Sequence, residues 1–299
     1  MSMNQAFIQN VMDIRGKAGE EWIQRIPQLI SNYEKRWNIK VGEPFNLSYN
    51  YVVSAEQVDG TPVVLKLGFP GDTELISECN ALKIFNGEGS IKLINDDIEN
   101  GIMLLERAIP GITLDQLKDN ELETRIACSI LKKLHRPVPQ NDKLINLSNW
   151  LNGYQKHREK YNGTSGPFPE DIFFLGEEMD KKHYSEQPEN PVLLHGDFHH
   201  FNILKSQRDE WLTIDTKGVV GDPAYDIAVF LYNPKSLSLE TYDLKNLLTR
   251  RIEIFSEELN MNKEQIIEWG IAQSVLSSIW SLEDHEKDWE FGIKFAELL

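Results

Sequence analysis

The loop His195-Gly196-Asp197-Phe198-His199-His200-Phe201-Asn202 carries a His-x-Asp triplet with an asparagine five residues after the aspartate. Thirteen residues past Asn202, Asp215 follows Ile214 at the end of an apolar segment. Two carboxylates and an amide at this spacing suit phosphoryl transfer. That reaction asks the protein for in-line positioning and for neutralisation of charge on phosphate oxygens. Asp197 would orient a hydroxyl acceptor and take its proton late in the transfer. Asn202 and Asp215 offer the oxygen ligands that hard Mg²⁺ prefers. His195 reads as a scaffold residue that hydrogen-bonds the loop backbone.

A second half of the apparatus lies upstream. Lys66 stands inside Val63-Val64-Leu65-Lys66-Leu67, an apolar run where an ammonium needs a partner. Glu78 follows twelve residues later on a segment that reads as a helix. A strand lysine paired with a helix glutamate would grip the α- and β-phosphates of a nucleoside triphosphate, ATP or GTP. Ser48 and Asn50, between the first strands, sit where a loop would cover those phosphates and could donate to them. Each piece has a plain alternative. Loop Asp and Asn are commonly turn formers, a strand lysine can face solvent on an edge, and a helix glutamate is usually solvated. Their joint occurrence favours the clamp.

The elements that must position these residues divide the chain. Ile26, Leu29, Ile30, Tyr33 and Trp37 recur at three- and four-residue spacing, one buried helix face, with Pro27 suited to a first helical turn. A strand is expected from Leu47 through Val53, a turn at Asp59-Gly60 and a returning strand over Pro62 to Leu67. A helix over Thr73 to Phe85 and strands at Ile91 to Ile94 and Ile102 to Glu106 complete a small α+β lobe, residues 1–107. Pro110-Gly111 reads as a linker into a mainly helical lobe, residues 108–299. There, helices are expected around Leu122 to Leu134, behind Ser148 as N-cap, and from Ala224 onward, with a loop-and-strand insert from Val192 to Ile214. Trp280 and Trp289 read as helix-packing residues.

Composition narrows the partners. Thirty-one Lys and Arg against 47 Asp and Glu give a net charge of −16, which disfavours nucleic acid and suits a cationic small-molecule acceptor. No apolar run reaches 18 residues, so no membrane-spanning helix is expected. Residues 1–15 lack the pattern of a secretory signal. Cys79 and Cys128 read as buried thiols, and the expected compartment is the cytoplasm.

The motifs resemble those of the aminoglycoside phosphotransferases, and within them the streptomycin 6-kinase and hydroxyurea-resistance branch. The pieces that carry the likeness run over most of the chain. They are Trp22 to Pro27 with Trp37, Gly60 to Leu67, Glu78 with Ala81-Leu82, Leu104 to Arg107 with Pro110-Gly111, Leu134-His135 and the His195 to Asn202 loop. To these is added Ile214-Asp215-Thr216-Lys217-Gly218, leading to Gly221-Asp222-Pro223-Ala224-Tyr225-Asp226-Ile227-Ala228. The resemblance implies a bilobal protein-kinase-like α+β fold. It further implies adenine against the Glu106 carbonyl and the Ala108 amide, and a structural Asp226 that ties the catalytic loop to the helical lobe. It implies an acidic acceptor pocket near the C-terminal helices, for which Glu283 and Asp284 are the candidates, in a monomer or homodimer. Phe201 departs from the pattern, standing where many relatives carry a small residue.

Other readings compete. Choline, homoserine, methylthioribose and fructosamine kinases share the apparatus. His195, Asp197, His199 and His200 could be read as ligands of a metal-dependent hydrolase, which leaves Lys66 and Glu78 unexplained. A non-catalytic nucleotide-binding protein on the same scaffold would usually have lost one of Lys66, Glu78, Asp197, Asn202 or Asp215.

Overall fold

A computed structural model describes residues 3–138, 143–185, 191–233, 243–284 and 289–299. Helix α1 (Gln5–Trp37) starts on the Asn4 cap and breaks direction at Gly16, whose φ of 55° is left-handed. Pro27 therefore lies deep in the helix and not in its first turn, correcting the expectation. Strands β1 (Ile39–Pro44), β2 (Tyr51–Gln57) and β3 (Pro62–Leu67) follow, then α2 (Thr73–Phe85), β4 (Leu93–Asp97) and β5 (Ile102–Glu106). β1 was not foreseen. The strand expected from Leu47 begins only at Tyr51, because residues 45–50 form the bend between β1 and β2.

The five strands make one antiparallel sheet in the order β1-β2-β3-β5-β4. Alternation along a strand sends side chains to opposite faces. Val63, Leu65 and Leu67 of β3, with Ile102 and Leu104 of β5, pack beneath Trp22, Ile26, Ile30 and Tyr33 of α1. Met103 and Leu105 face the other way and meet Leu75, Cys79 and Leu82 of α2. Lys66 alternates onto this second face. It sits on the central strand of the sheet, opposite Val52 and Met103, so the edge-strand alternative is excluded.

Past β5 the chain forms β6 (Pro110–Thr113), α3 (Asn120–Leu134), β7 (Ile145–Asn146), α4 (Leu147–Lys160) and α5 (Glu170–Ser185). The Pro110-Gly111 linker is thus itself a strand, with Pro110 paired to Ser206 and Thr113 to Leu204. The cap of α4 is Asn146, whose side chain accepts from the Ser148 amide, and not Ser148 itself. Then come β8 (Val192–Leu194), β9 (Ile203–Ser206), β10 (Trp211–Thr213), β11 (Val219–Gly221), α6 (Ala224–Leu231), α7 (Asp243–Leu259), α8 (Lys263–Asp284) and α9 (Glu290–Leu298).

Every residue of α6 is buried, between one cluster built on α3 and α7 and another built on α4 and α8. Trp280 stands edge-on to Trp150 at 6.0 Å, and Trp289 lies 5.0 Å from Phe168, both as packing residues. Cys79 and Cys128 are buried free thiols, pushed up to about 11 and about 12 by burial.

Candidate active site

The sheet face that carries Lys66 also carries Glu78, since α2 packs there. Asp72 starts α2 by accepting from the Glu74 and Leu75 amides. The helix then sets Glu78 over β3, and the Lys66 Nζ donates to Oε1 and Oε2 at 2.7 Å each. Both side chains are nearly excluded from water, where an unpaired charge would be costly. The same Nζ reaches Asp215 Oδ1 at 2.6 Å, across 149 residues of sequence. Burial alone would lower Lys66. The carboxylates of Asp215 and Glu78 outweigh it and hold the ammonium charged.

Asp215 has a positive φ of 56°, and its carboxylate takes Lys66 on one oxygen and Lys217 on the other, at 3.0 Å. Burial pushes Asp215 up, but those two ammonium groups hold it well below the usual carboxylate range. The Ile214 amide donates to the Asn202 carbonyl at 2.9 Å, which joins the segment ending at Asp215 to the end of the catalytic loop. Asn202 donates its Nδ2 to the Asp197 carbonyl at 3.0 Å and to Asp197 Oδ2 at 3.1 Å. The amide oxygen therefore points away from Asp197. An amide oxygen and a carboxylate fit Mg²⁺, which takes one or two protein oxygens and completes its shell with phosphate and water.

The loop itself is held from behind. Asp226, fully buried on α6, accepts from the His195 and Gly196 amides at 2.9 and 2.8 Å and meets His135 Nε2 at 3.0 Å. His195 Nε2 contacts the Ile214 carbonyl at 2.9 Å, and its Nδ1 accepts from the Asp197 amide at 3.2 Å. Burial lowers His195, which keeps the imidazole neutral and in a scaffold role. Asp197 stays ionised. Burial would raise it, but His199, at 3.4 Å from Oδ1, and the Lys217 ammonium hold it down to about 2.

The sequence-derived residues do not all converge. Lys66, Glu78, Asp197, Asn202 and Asp215 form one continuous network. Ser48 and Asn50 lie in the β1–β2 bend, with Asn50 Oδ1 close to Gly68 at the end of β3. Glu106 ends β5, and its carboxylate is engaged by Arg208 Nε at 2.7 Å and the Lys92 amide at 2.9 Å. Ala108 packs against the buried cluster that includes Leu75, Cys79, Leu82 and Met103.

Glu283 is exposed near the end of α8, one turn beyond Trp280. The edge of Trp150 lies against Gly196, and Trp280 stands edge-on behind it. The side chain of Asp284 lies outside the described residues.

Among the described residues no group of three or more His, Cys, Asp and Glu side chains could hold a metal ion. The histidine-cluster reading fails on geometry too. His200 turns into the core, stacks on Phe230 at 4.0 Å and lies 3.2 Å from Arg251 Nη2. Phe201 turns outward, 46% exposed, so its bulk does not crowd the loop.

Sequence reasoning missed three participants. Ser77 bonds the Gly218 carbonyl at 2.6 Å and accepts from the Ile145 amide at 2.9 Å. Arg251 braces His200 from α7. Lys217 binds Asp215. Only Lys217 left a signal, a lysine two residues from the second carboxylate.

A sheet-bearing half with a buried Lys–Glu pair, joined to a helical half that carries the His-x-Asp loop, defines the protein-kinase-like phosphotransferases. The architecture aligns with the aminoglycoside phosphotransferase APH(4)-Ia at a TM-score of 0.64 and 10% identity, covering 92% of this chain and 97% of that one. It aligns with the choline kinase LicA of Streptococcus pneumoniae at 0.58 and 17%, covering 93% and 96%.

Within that class, the chain belongs to the aminoglycoside/hydroxyurea antibiotic resistance kinase family, whose model matches residues 36–285. It is 29% identical to streptomycin 6-kinase of Streptomyces griseus over 90% of this chain and 87% of that protein. It is 26% identical to hydroxyurea phosphotransferase of Kitasatospora aureofaciens over 91% and 77%. The protein is a phosphotransferase acting on hydroxyl groups. Among the described residues, no helix is long and apolar enough to cross a membrane.

Proposed function

We propose that the protein transfers the γ-phosphoryl group of ATP to a hydroxyl of a cationic aminocyclitol such as streptomycin, and so confers antibiotic resistance. The observation that carries this is the Lys66 ammonium joining Glu78 to Asp215, at 2.7 and 2.6 Å, beside the Asp197–Asn202 pair.

In the reaction a bond forms between the acceptor oxygen and the γ-phosphorus. The bond from that phosphorus to the β–γ bridging oxygen breaks, and its electron pair leaves on the diphosphate. The acceptor proton passes to Asp197. A carboxylate held down to about 2 is a weak base. Asp197 therefore chiefly aligns the hydroxyl and receives the proton once the new bond has largely formed. Lys66 grips the α- and β-phosphates, with Ser48 and Asn50 as donors above them. Adenine lies against the Glu106 carbonyl and the Ala108 amide. Asn202 and Asp215 would hold Mg²⁺, which neutralises phosphate charge when bound.

The division falls between residues 107 and 108, with the nucleotide on the sheet side. Glu283 contributes negative potential on the acceptor side, in line with the overall charge of −16.

The test is ADP release with ATP and a panel of acceptors: streptomycin, hydroxyurea, choline and homoserine. Turnover with streptomycin above the rest supports the reading. Turnover confined to one of the metabolites would replace it.

A further inference from the structure

The Ile214-Asp215-Thr216-Lys217-Gly218 segment holds one charged group, Lys217, to which the site described above gives no role toward a substrate. An ammonium has three N–H donors. Those of Lys66 are all committed, to Glu78 Oε1, Glu78 Oε2 and Asp215 Oδ1. Lys66 can anchor phosphate only as a fixed positive charge within that cage. Lys217 differs. Among the described residues its Nζ meets one acceptor, Asp215 Oδ2 at 3.0 Å, which leaves donors for a substrate oxygen. Its side chain is 27% exposed where that of Lys66 is 5%, so it reaches the open side of the cleft.

The root of Lys217 is fixed on two sides. Its amide donates to the His195 carbonyl at 2.7 Å, which ties it to the catalytic loop. The next residue, Gly218, has a φ of +62° and lies so close to α2 that an added Cβ would stand 2.4 Å from the Ser77 carbonyl oxygen. Ser77 Oγ clasps the Gly218 carbonyl at 2.6 Å. The stem then runs along the catalytic loop, since a Cβ on Gly196 would meet the Lys217 Cβ at 3.0 Å. A rigid root carrying a cation with spare donors, set between Asp215 and the catalytic loop, is a built position.

We propose that Lys217 is a catalytic residue of this kinase, its ammonium donating to the oxygens of the transferring phosphoryl group and stabilising the charge they carry between the leaving diphosphate and the acceptor oxygen. Lys66 would then hold the part of the nucleotide that stays, and Lys217 the part that leaves. This rests on the kinase reading above. The proton still goes to Asp197 and the electron pair to the diphosphate. Lys217 exchanges no proton.

The test compares ADP with the non-hydrolysable triphosphate AMP-PNP, each titrated with Mg²⁺ against wild type, Lys217→Met and Lys217→Arg, and adds acceptor turnover. For Lys217→Met the expected results are ADP affinity within about threefold of wild type, loss of the preference for the triphosphate, and kcat down about 10²- to 10³-fold. Lys217→Arg, which keeps the charge, should recover part of both. A role confined to holding Asp215 would weaken both nucleotides in parallel and leave their ratio unchanged, and that result overturns the proposal. So does an unchanged kcat in a folded Lys217→Met. Should Lys217→Met fail to fold, the ratio measured on Lys217→Gln decides in the same way. A wild type that binds neither nucleotide would instead overturn the kinase reading itself.

Discussion

The phosphate side and the acceptor side of this cleft are built differently. On the phosphate side, Lys66, Glu78, Asp215, Asn202 and Asp197 are linked by contacts of 2.6 to 3.1 Å spanning the sheet, α2 and the catalytic loop. On the acceptor side, aromatic packing of Trp150 and Trp280 leads out to an exposed Glu283. Behind it, α5 packs along α8, where Asp180 Oδ1 and Gln273 Oε1 are buried with no hydrogen-bond partner among the described residues. On the proposed reading the first region takes a triphosphate, whose geometry does not vary between acceptors. The second can change without disturbing the first. A fold that links its charged groups in one half can serve many hydroxyl acceptors by varying the other.

If the phosphate side is one unit, damage there should be large and insensitive to the acceptor. Asp215→Ala should lower kcat by about 10³-fold or more and abolish the Mg²⁺ dependence of nucleotide binding, read by calorimetric titration with and without the ion. Asp226→Ala touches no substrate. It strands the His195 and Gly196 amides, so stability should fall by about 2–4 kcal/mol in urea unfolding, with activity falling as the loop loosens.

Acceptor-side changes should be milder and selective. Glu283→Gln should raise KM for a cationic acceptor about two- to fivefold, fade at high salt, and leave the nucleotide KM unchanged. An equal effect on neutral acceptors would remove Glu283 from the site.

The smallest effect concerns stability alone. Burial, with Glu177 alongside, raises Asp180 to about 7, so the folded state holds a proton that the unfolded chain releases near pH 4. Stability should therefore fall as pH rises from about 4 to about 7 and level off above that. Asp180→Asn should melt a few degrees higher than wild type at pH 8 and show no gain at pH 4, by calorimetry.

The same contrast explains what could be read from the sequence. β3, α2 and β5 lie where expected, because their periodicity and their Asp72 and Gly101 boundaries are local signals. β1 escaped because Gly42 and Pro44 weaken its strand signal, and β6 because a four-residue strand owes its pairing to a distant partner, β9. Lys66 and Glu78 were legible because a lysine in an apolar strand demands a partner. The contact of Lys66 with Asp215 spans 149 residues, and only the fold reveals it. Asp284 and the acceptor pocket had no such demand behind them, since an acidic helix end is satisfied by water.

The central claim is that Asp197 serves the acceptor and not the nucleotide. It is tested most directly by comparing wild type with Asp197→Ala, measuring ATP-dependent phosphorylation of streptomycin and, in the same samples, nucleotide affinity. Turnover should be lower by about 10²- to 10⁴-fold, with ADP affinity within about threefold of wild type. Wild-type turnover in Asp197→Ala would contradict it.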